Sequence, residues 1–281
     1  MLQAWQAVVL GVVEGVTEYL PVSSTGHLIL ANALLGLDQP AAKPALDAYD
    51  VVIQGGAILA VVGLYWSRVR ALANGVLGRD PAGLRLLVNL VVAFLPSALI
   101  GLAFEKRIDE VLFRPVPVLL ALAAGGVFMI ALDRARARGA LPAPRAIDQV
   151  DWRHALLIGA LQCLALWPGT SRSMTTIAGG MLIGLRPREA AEFSFLLGLP
   201  TLGAACLWKL LRHHDEIAAL GASSVVIGIA VATVSAALAV RWLVGFLNSH
   251  GLAPFGWYRL ALTALLATSL WLGWVELAGV S

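Results

Sequence analysis

Gly11-Val-Val-Glu14-Gly-Val-Thr-Glu18-Tyr19-Leu-Pro21-Val-Ser23-Ser24-Thr25-Gly26-His27 reads as an apolar helix that carries two carboxylates and is then broken. The same order of features returns later in the chain. Gly159-Ala-Leu-Gln162-Cys-Leu-Ala-Leu166-Trp167-Pro168-Gly-Thr-Ser171 again has a glycine-bearing helix, an aromatic residue, a proline and a hydroxyl-rich loop. The offset is 159 − 11 = 148 up to the aromatic residue. One deletion before the proline makes it 168 − 21 = 147 and sets Ser24 against Ser171. A repeat of this kind makes the chain two copies of one structural unit.

The surroundings of both copies are apolar. Of the 281 residues, 59% are hydrophobic and only 13% charged, with a mean hydropathy of +0.82. Apolar runs fall at 2–20, 27–37, 51–66, 86–104, 116–132, 154–167, 174–185, 193–211, 223–247 and 257–275. They are continuous and rich in Leu and Ala, so membrane helices are expected and an alternating β-barrel is not. A helix needs about 20 residues to cross the hydrocarbon core. Runs 27–37, 154–167 and 174–185 are too short to cross alone, and 2–20 carries its acids in its last third. Short runs at matched places in two halves predict re-entrant hairpins. The expected fold is therefore an all-α integral membrane protein, a single membrane domain over 1–281. It has about six transmembrane helices and two re-entrant helical hairpins, with repeats at 1–135 and 150–281.

The net charge of +3 reflects arginines gathered between apolar runs, so nucleic acid is not an expected partner. Segment 67–85 holds Arg68, Arg70, Arg79 and Arg85; segment 133–153 holds Arg134, Arg136, Arg138, Arg145 and Arg153. By the positive-inside rule both face the cytoplasm. Three crossings separate the two hairpins, so the hairpins enter from opposite faces and the repeat is inverted. Cys163 and Cys206 lie in apolar runs and read as small core residues.

Glu14 and Glu18 are four apart and share a helix face. Carboxylates at membrane depth are costly, and a bridging cation, a shared proton or a wet site relieves the cost. Mg²⁺ or Ca²⁺ suits hard oxygen ligands beside phosphate. After Pro21, residues Ser23, Ser24, Thr25, Gly26 and His27 bring hydroxyls and free backbone N–H groups to a helix start, which is an anion site. His27 is placed to serve as nucleophile or as acid–base group. The second loop, Ser171-Arg172-Ser173-Met174-Thr175-Thr176, adds a guanidinium that matches phosphate oxygens. Together the loops predict a site for a metal-bridged phosphate. A secondary transporter is the rival reading, because inverted repeats with broken helices also build transporters. Asp50, Gln54 and Glu192 read as helix caps or inter-helix hydrogen-bonding groups.

At Glu14–His27 and Pro168–Ser173 the chain resembles the undecaprenyl-diphosphate phosphatase family, the bacterial membrane enzymes linked to bacitracin resistance. Asp50-Val-Val-Ile-Gln54 and Glu192–Leu197 add weaker support, and the likeness spans nearly the whole chain. The resemblance implies removal of the terminal phosphate of undecaprenyl diphosphate at the outer side of the cytoplasmic membrane. That reaction recycles the lipid carrier of peptidoglycan synthesis, and it needs a divalent cation. The implied catalytic set is Glu14, Glu18, Ser23, Ser24, His27 and Arg172, with the cation on Glu14 and Glu18. The implied diphosphate contacts are Ser24, Thr25, Gly26, Ser171, Arg172, Ser173 and Thr176. The partners are an isoprenoid lipid diphosphate and the bilayer, with a second copy of the chain allowed. The attacking group, His27, Ser24 or water, is left open. In the family the position after Ser-Arg-Ser is usually glycine; Met174 here implies a narrower loop.

Overall fold

The computed structural model describes residues 2–37 and 43–272, so the end of the apolar run 257–275 lies outside it. Among the described residues the chain forms twelve α-helices and two short 3-10 turns, with one isolated parallel bridge between Arg145 and Leu185. The first six are α1 (Ala4–Thr17), α2 (Ser24–Leu34), α3 (Lys43–Leu64), α4 (Trp66–Val76), α5 (Pro81–Leu112) and α6 (Pro115–Ala137). The second six are α7 (Trp152–Gln162), α8 (Arg172–Leu182), α9 (Pro187–Arg212), α10 (His214–Ala219), α11 (Ala222–His250) and α12 (Ala253–Trp271).

Starting points repeat at 152 − 4 = 148, 172 − 24 = 148 and 214 − 66 = 148, and α2 and α8 are both 11 residues long. The packing exchanges the same partners: α1 lies on α11 and its counterpart α7 on α5, while α3 meets α9 and α6 meets α12. Glycine makes the first two contacts close. A Cβ at Gly11 would stand 2.8 Å from the Gly228 carbonyl oxygen, and one at Gly159, 148 residues later, 2.5 Å from that of Ala93. Small residues let membrane helices approach closely where hydrophobic burial gives no net drive.

Among the described residues five helices are long and apolar enough to cross a bilayer: α3, α5, α6, α9 and α11. α12 covers the described part of the expected run 257–275, whose end lies outside the described residues. The segment 67–85 is not a plain loop: α4 occupies most of it and packs on α5. Arg68 joins the two arginine-rich segments through Nη1 to Asp148 Oδ1 at 3.1 Å, and reaches α9 through Nε to Glu192 Oε1 at 2.7 Å. Asp80 and Asp151 cap α5 and α7, each accepting two backbone N–H groups. The hydrogen bond from the His154 backbone holds the Asp151 carboxyl below the usual carboxylate range. Trp66, Trp152, Trp208 and Trp257 are exposed near helix ends, as interfacial residues should be. The cysteines are unpaired, and Cys206 donates to the Val51 carbonyl.

Candidate active site

α1 ends at Thr17 because Pro21 has no N–H to continue the helix and disfavours helical backbone at Leu20. The chain turns and restarts at α2. The equivalent break between α7 and α8 runs through the 3-10 turn Cys163–Leu166 and Pro168. Ser23 and Ser171 are the N-caps of the restarted helices, and each side chain accepts from a backbone N–H three residues on, that of Gly26 or Met174. They are the only non-glycine residues at positive φ among the described residues, 74° and 76°. The structural equivalence is therefore Ser23 with Ser171, 171 − 23 = 148, and the deletion that set Ser24 against Ser171 does not exist. Backbone of this kind costs about 1–3 kcal/mol per residue. Glycine would remove the strain, so serine at both places points to a use for the hydroxyl.

Between the two breaks lies a cavity of about 130 Å³. A water occupies about 30 Å³ of liquid, so the space suits a phosphoryl group and excludes a lipid tail. Its wall is Glu18, Ser23, Ser24, Thr25, Gln54, Ala165, Pro168, Gly169, Ser171, Arg172 and Leu202. Glu18 is the hub. Its Oε2 accepts from Ser24 Oγ at 2.7 Å, and its Oε1 pairs with Arg172 Nη2 at 3.0 Å. Arg172 also donates from Nη1 to the Ser194 carbonyl at 3.0 Å, and its guanidinium lies 5.5 Å from the Tyr19 ring centre. Both side chains of the ion pair are more than nine-tenths buried.

The other expected residues sit behind this wall. Glu14 is fully buried, and neither of its oxygens accepts a hydrogen bond. Ser173 is buried and donates to the Leu20 carbonyl at 2.8 Å, tying one loop to the other. Thr176 is buried against Ser194 Oγ at 2.6 Å and the Arg172 carbonyl at 2.8 Å. Gly26 gives its N–H to Ser23. His27 turns from the cavity: Nδ1–H donates to the Ser23 carbonyl at 2.7 Å, which leaves Nε2 to accept from the Tyr258 hydroxyl at 2.7 Å. Met174 does not narrow the loop, because its buried side chain reaches back toward Gly125 on α6. Asp50 accepts from Asn32 at 2.8 Å, as expected of an inter-helix group, but Gln54 faces the cavity. Sequence reasoning missed Ser194, Tyr258 and Arg259. Only Arg259 left a trace, as a lone cation inside an apolar run.

No cluster of three or more His, Cys, Asp or Glu side chains able to hold a metal is found among the described residues. Glu14 nevertheless offers two unpartnered buried oxygens, and Glu18 lies one helical turn away. Both carboxylates are hard oxygen donors of the kind Mg²⁺ or Ca²⁺ takes, and the oxygens of Glu14 are the ones without a partner.

The family described as bacitracin resistance protein BacA matches residues 7–265. This chain belongs to it. Among relatives of the BacA family, the undecaprenyl-diphosphatase of Sorangium cellulosum is 48% identical over 95% of this chain and 86% of its own length. Undecaprenyl-diphosphatase 1 of Chromobacterium violaceum is 43% identical over 97% of this chain and 98% of its own. The undecaprenyl-diphosphatase of Deinococcus deserti is 45% identical over 92% and 93%. With its crossing helices, this BacA-family chain is an all-α multi-pass membrane protein.

Proposed function

We propose that this chain hydrolyses undecaprenyl diphosphate to undecaprenyl phosphate and inorganic phosphate, and so contributes to bacitracin resistance. The observation that carries the reading is that one carboxylate, Glu18, holds both the Ser24 hydroxyl and the Arg172 guanidinium on the wall of a phosphoryl-sized cavity. The relatives' printed activity supports it.

Glu18 fills the place on Arg172 that a phosphate oxygen would take. An entering diphosphate displaces it and receives the guanidinium, together with N–H groups from the starts of α2 and α8. Glu18 Oε2 stays on Ser24. Ser24 Oγ attacks the terminal phosphorus, its proton passes to Glu18, and the bridging P–O bond breaks to release undecaprenyl phosphate. Water then attacks the phosphoserine, phosphate leaves, and the serine oxygen recovers a proton. Arg172 and the helix starts meet the charge that shifts onto the equatorial oxygens. Mg²⁺ or Ca²⁺, held by Glu14 and the Oε1 that Arg172 gives up, would supply further charge neutralisation. His27 and Tyr258 support the Ser23 carbonyl rather than touch phosphorus. The isoprenoid tail runs among the apolar helices or in lipid. We place the site in the bacterial inner membrane, open to the outer side, within an inverted repeat of 1–135 and 150–281.

The test is phosphate release by purified protein in detergent, with and without EDTA, beside Glu18→Ala and Ser24→Ala. Metal-dependent release lost in both variants supports the reading. No release by folded wild-type protein under any divalent cation would overturn it in favour of transport.

A further inference from the structure

Arg259 of α12 is fully buried, and among the described residues its donors go to carbonyl oxygens and none to a carboxylate. Its Nη1 donates to Thr170 O at 2.8 Å and to Pro21 O at 3.5 Å. Nη2 donates to Gly169 O at 2.6 Å and Ala121 O at 2.9 Å, and Nε to Leu122 O at 3.1 Å. Pro21 stands two residues before the Ser23 cap, and Gly169 and Thr170 directly precede the Ser171 cap. One planar guanidinium therefore joins the two active-site loops to each other and to α6. Its fork is pre-organised, so five bonds are made with little loss of freedom per bond. A buried cation without a carboxylate is costly, and full satisfaction by carbonyls is what makes it tolerable. Gly125 on α6 leaves it room: a Cβ there would stand 2.6 Å from Nη2 and 2.9 Å from Cζ. Local capping fixes each serine in its own loop, whereas this clamp, the Ser173–Leu20 bond and the Glu18–Arg172 ion pair set one loop against the other.

We infer that Arg259 is a positioning residue that sets the spacing of the Ser23 and Ser171 loops across the phosphoryl cavity, with Gly125 as the notch that admits it. The inference rests on the phosphatase reading for its consequence, not for its geometry. Misplacing a reacting group by about 1 Å costs on the order of 100-fold in rate.

Two variants test it. Arg259→Lys keeps the charge but loses the fork. Gly125→Ala keeps every donor and pushes on the guanidinium. Gly75→Ala is the control, because its Cβ would collide with the Leu84 backbone at the α4–α5 contact, away from the cavity. Both test variants should lower kcat about 10- to 100-fold. Amide exchange should speed up in 22–26 and 169–174, while the α3 and α11 amides keep their protection. The control should lower thermal stability without the fall in kcat. Wild-type kcat and loop exchange in folded Gly125→Ala, or an equal kcat loss in Gly75→Ala, would overturn the clamp. If Arg259→Lys does not fold, Gly125→Ala decides alone. If wild-type protein releases no phosphate, the substrate reading fails, and loop exchange still decides the clamp.

Discussion

The strained serine caps make a prediction in which stability and activity move in opposite directions. Consider Ser23→Gly and Ser23→Ala. At φ 74° and ψ 96° a residue with a Cβ stores about 1–3 kcal/mol, which glycine releases. Against this, glycine costs about 0.5–1 kcal/mol in unfolded-chain freedom. Replacing a serine cap by glycine costs a few tenths more. Ser23→Gly should therefore fall between neutral and about 2 kcal/mol more stable than wild type. Ser23→Ala keeps the strain and loses the cap, so it should be about 1 kcal/mol less stable. The gap between the variants is about 1–3 kcal/mol, with glycine above alanine. Ser171 should give the same order with a smaller gain for glycine, because its hydroxyl also meets Ser173 Oγ at 3.0 Å. Phosphate release should fall in all four variants. The assays are equilibrium unfolding in detergent and phosphate release on the same preparations. An alanine variant more stable than its glycine counterpart would refute the positive φ. Full turnover in Ser23→Gly would refute a use for the hydroxyl.

Arg172→Ala removes one partner of a buried pair, so it should cost about 3–5 kcal/mol of stability. It should also lower turnover about 10²–10³-fold in a phosphate-release assay. Glu14→Gln keeps the side-chain shape at a buried position and removes its charge; it should raise the Mg²⁺ or Ca²⁺ concentration needed for half-maximal activity. Gly11→Val and Gly159→Val should each destabilise by about 1–3 kcal/mol, since each forces a side chain onto a neighbouring helix backbone. The Asp151 carboxyl is held low by its capping bonds, so its contribution is present above the usual carboxylate range and fades as pH drops through the lowered value. Asp151→Asn should flatten that acid limb of the stability profile.

The helix breaks and the polar loops that follow them were legible in the sequence because each rests on a short-range rule. Proline ends a helix, serine caps the next, and an acid or arginine in an apolar run needs a partner. The register of the repeat was legible only in part: proline against proline suggested a deletion, while the backbone matches Ser23 with Ser171. Proline alignment failed because the break tolerates the residue at either of two turn positions, whereas the cap geometry admits one.

What the sequence by itself determined is the class of protein and the place of its two polar helix breaks, since length, hydropathy and turn chemistry are local properties. The tertiary structure alone decided the pairings. Glu18 holds Ser24, six residues on, and Arg172, 154 residues away. His27 was expected at the phosphate, but it faces Tyr258, 231 residues away. Arg259 drew no notice, yet it joins both loops. A spacing rule reaches one helical turn, whereas these contacts exist only once α12 and the two hairpins have packed together.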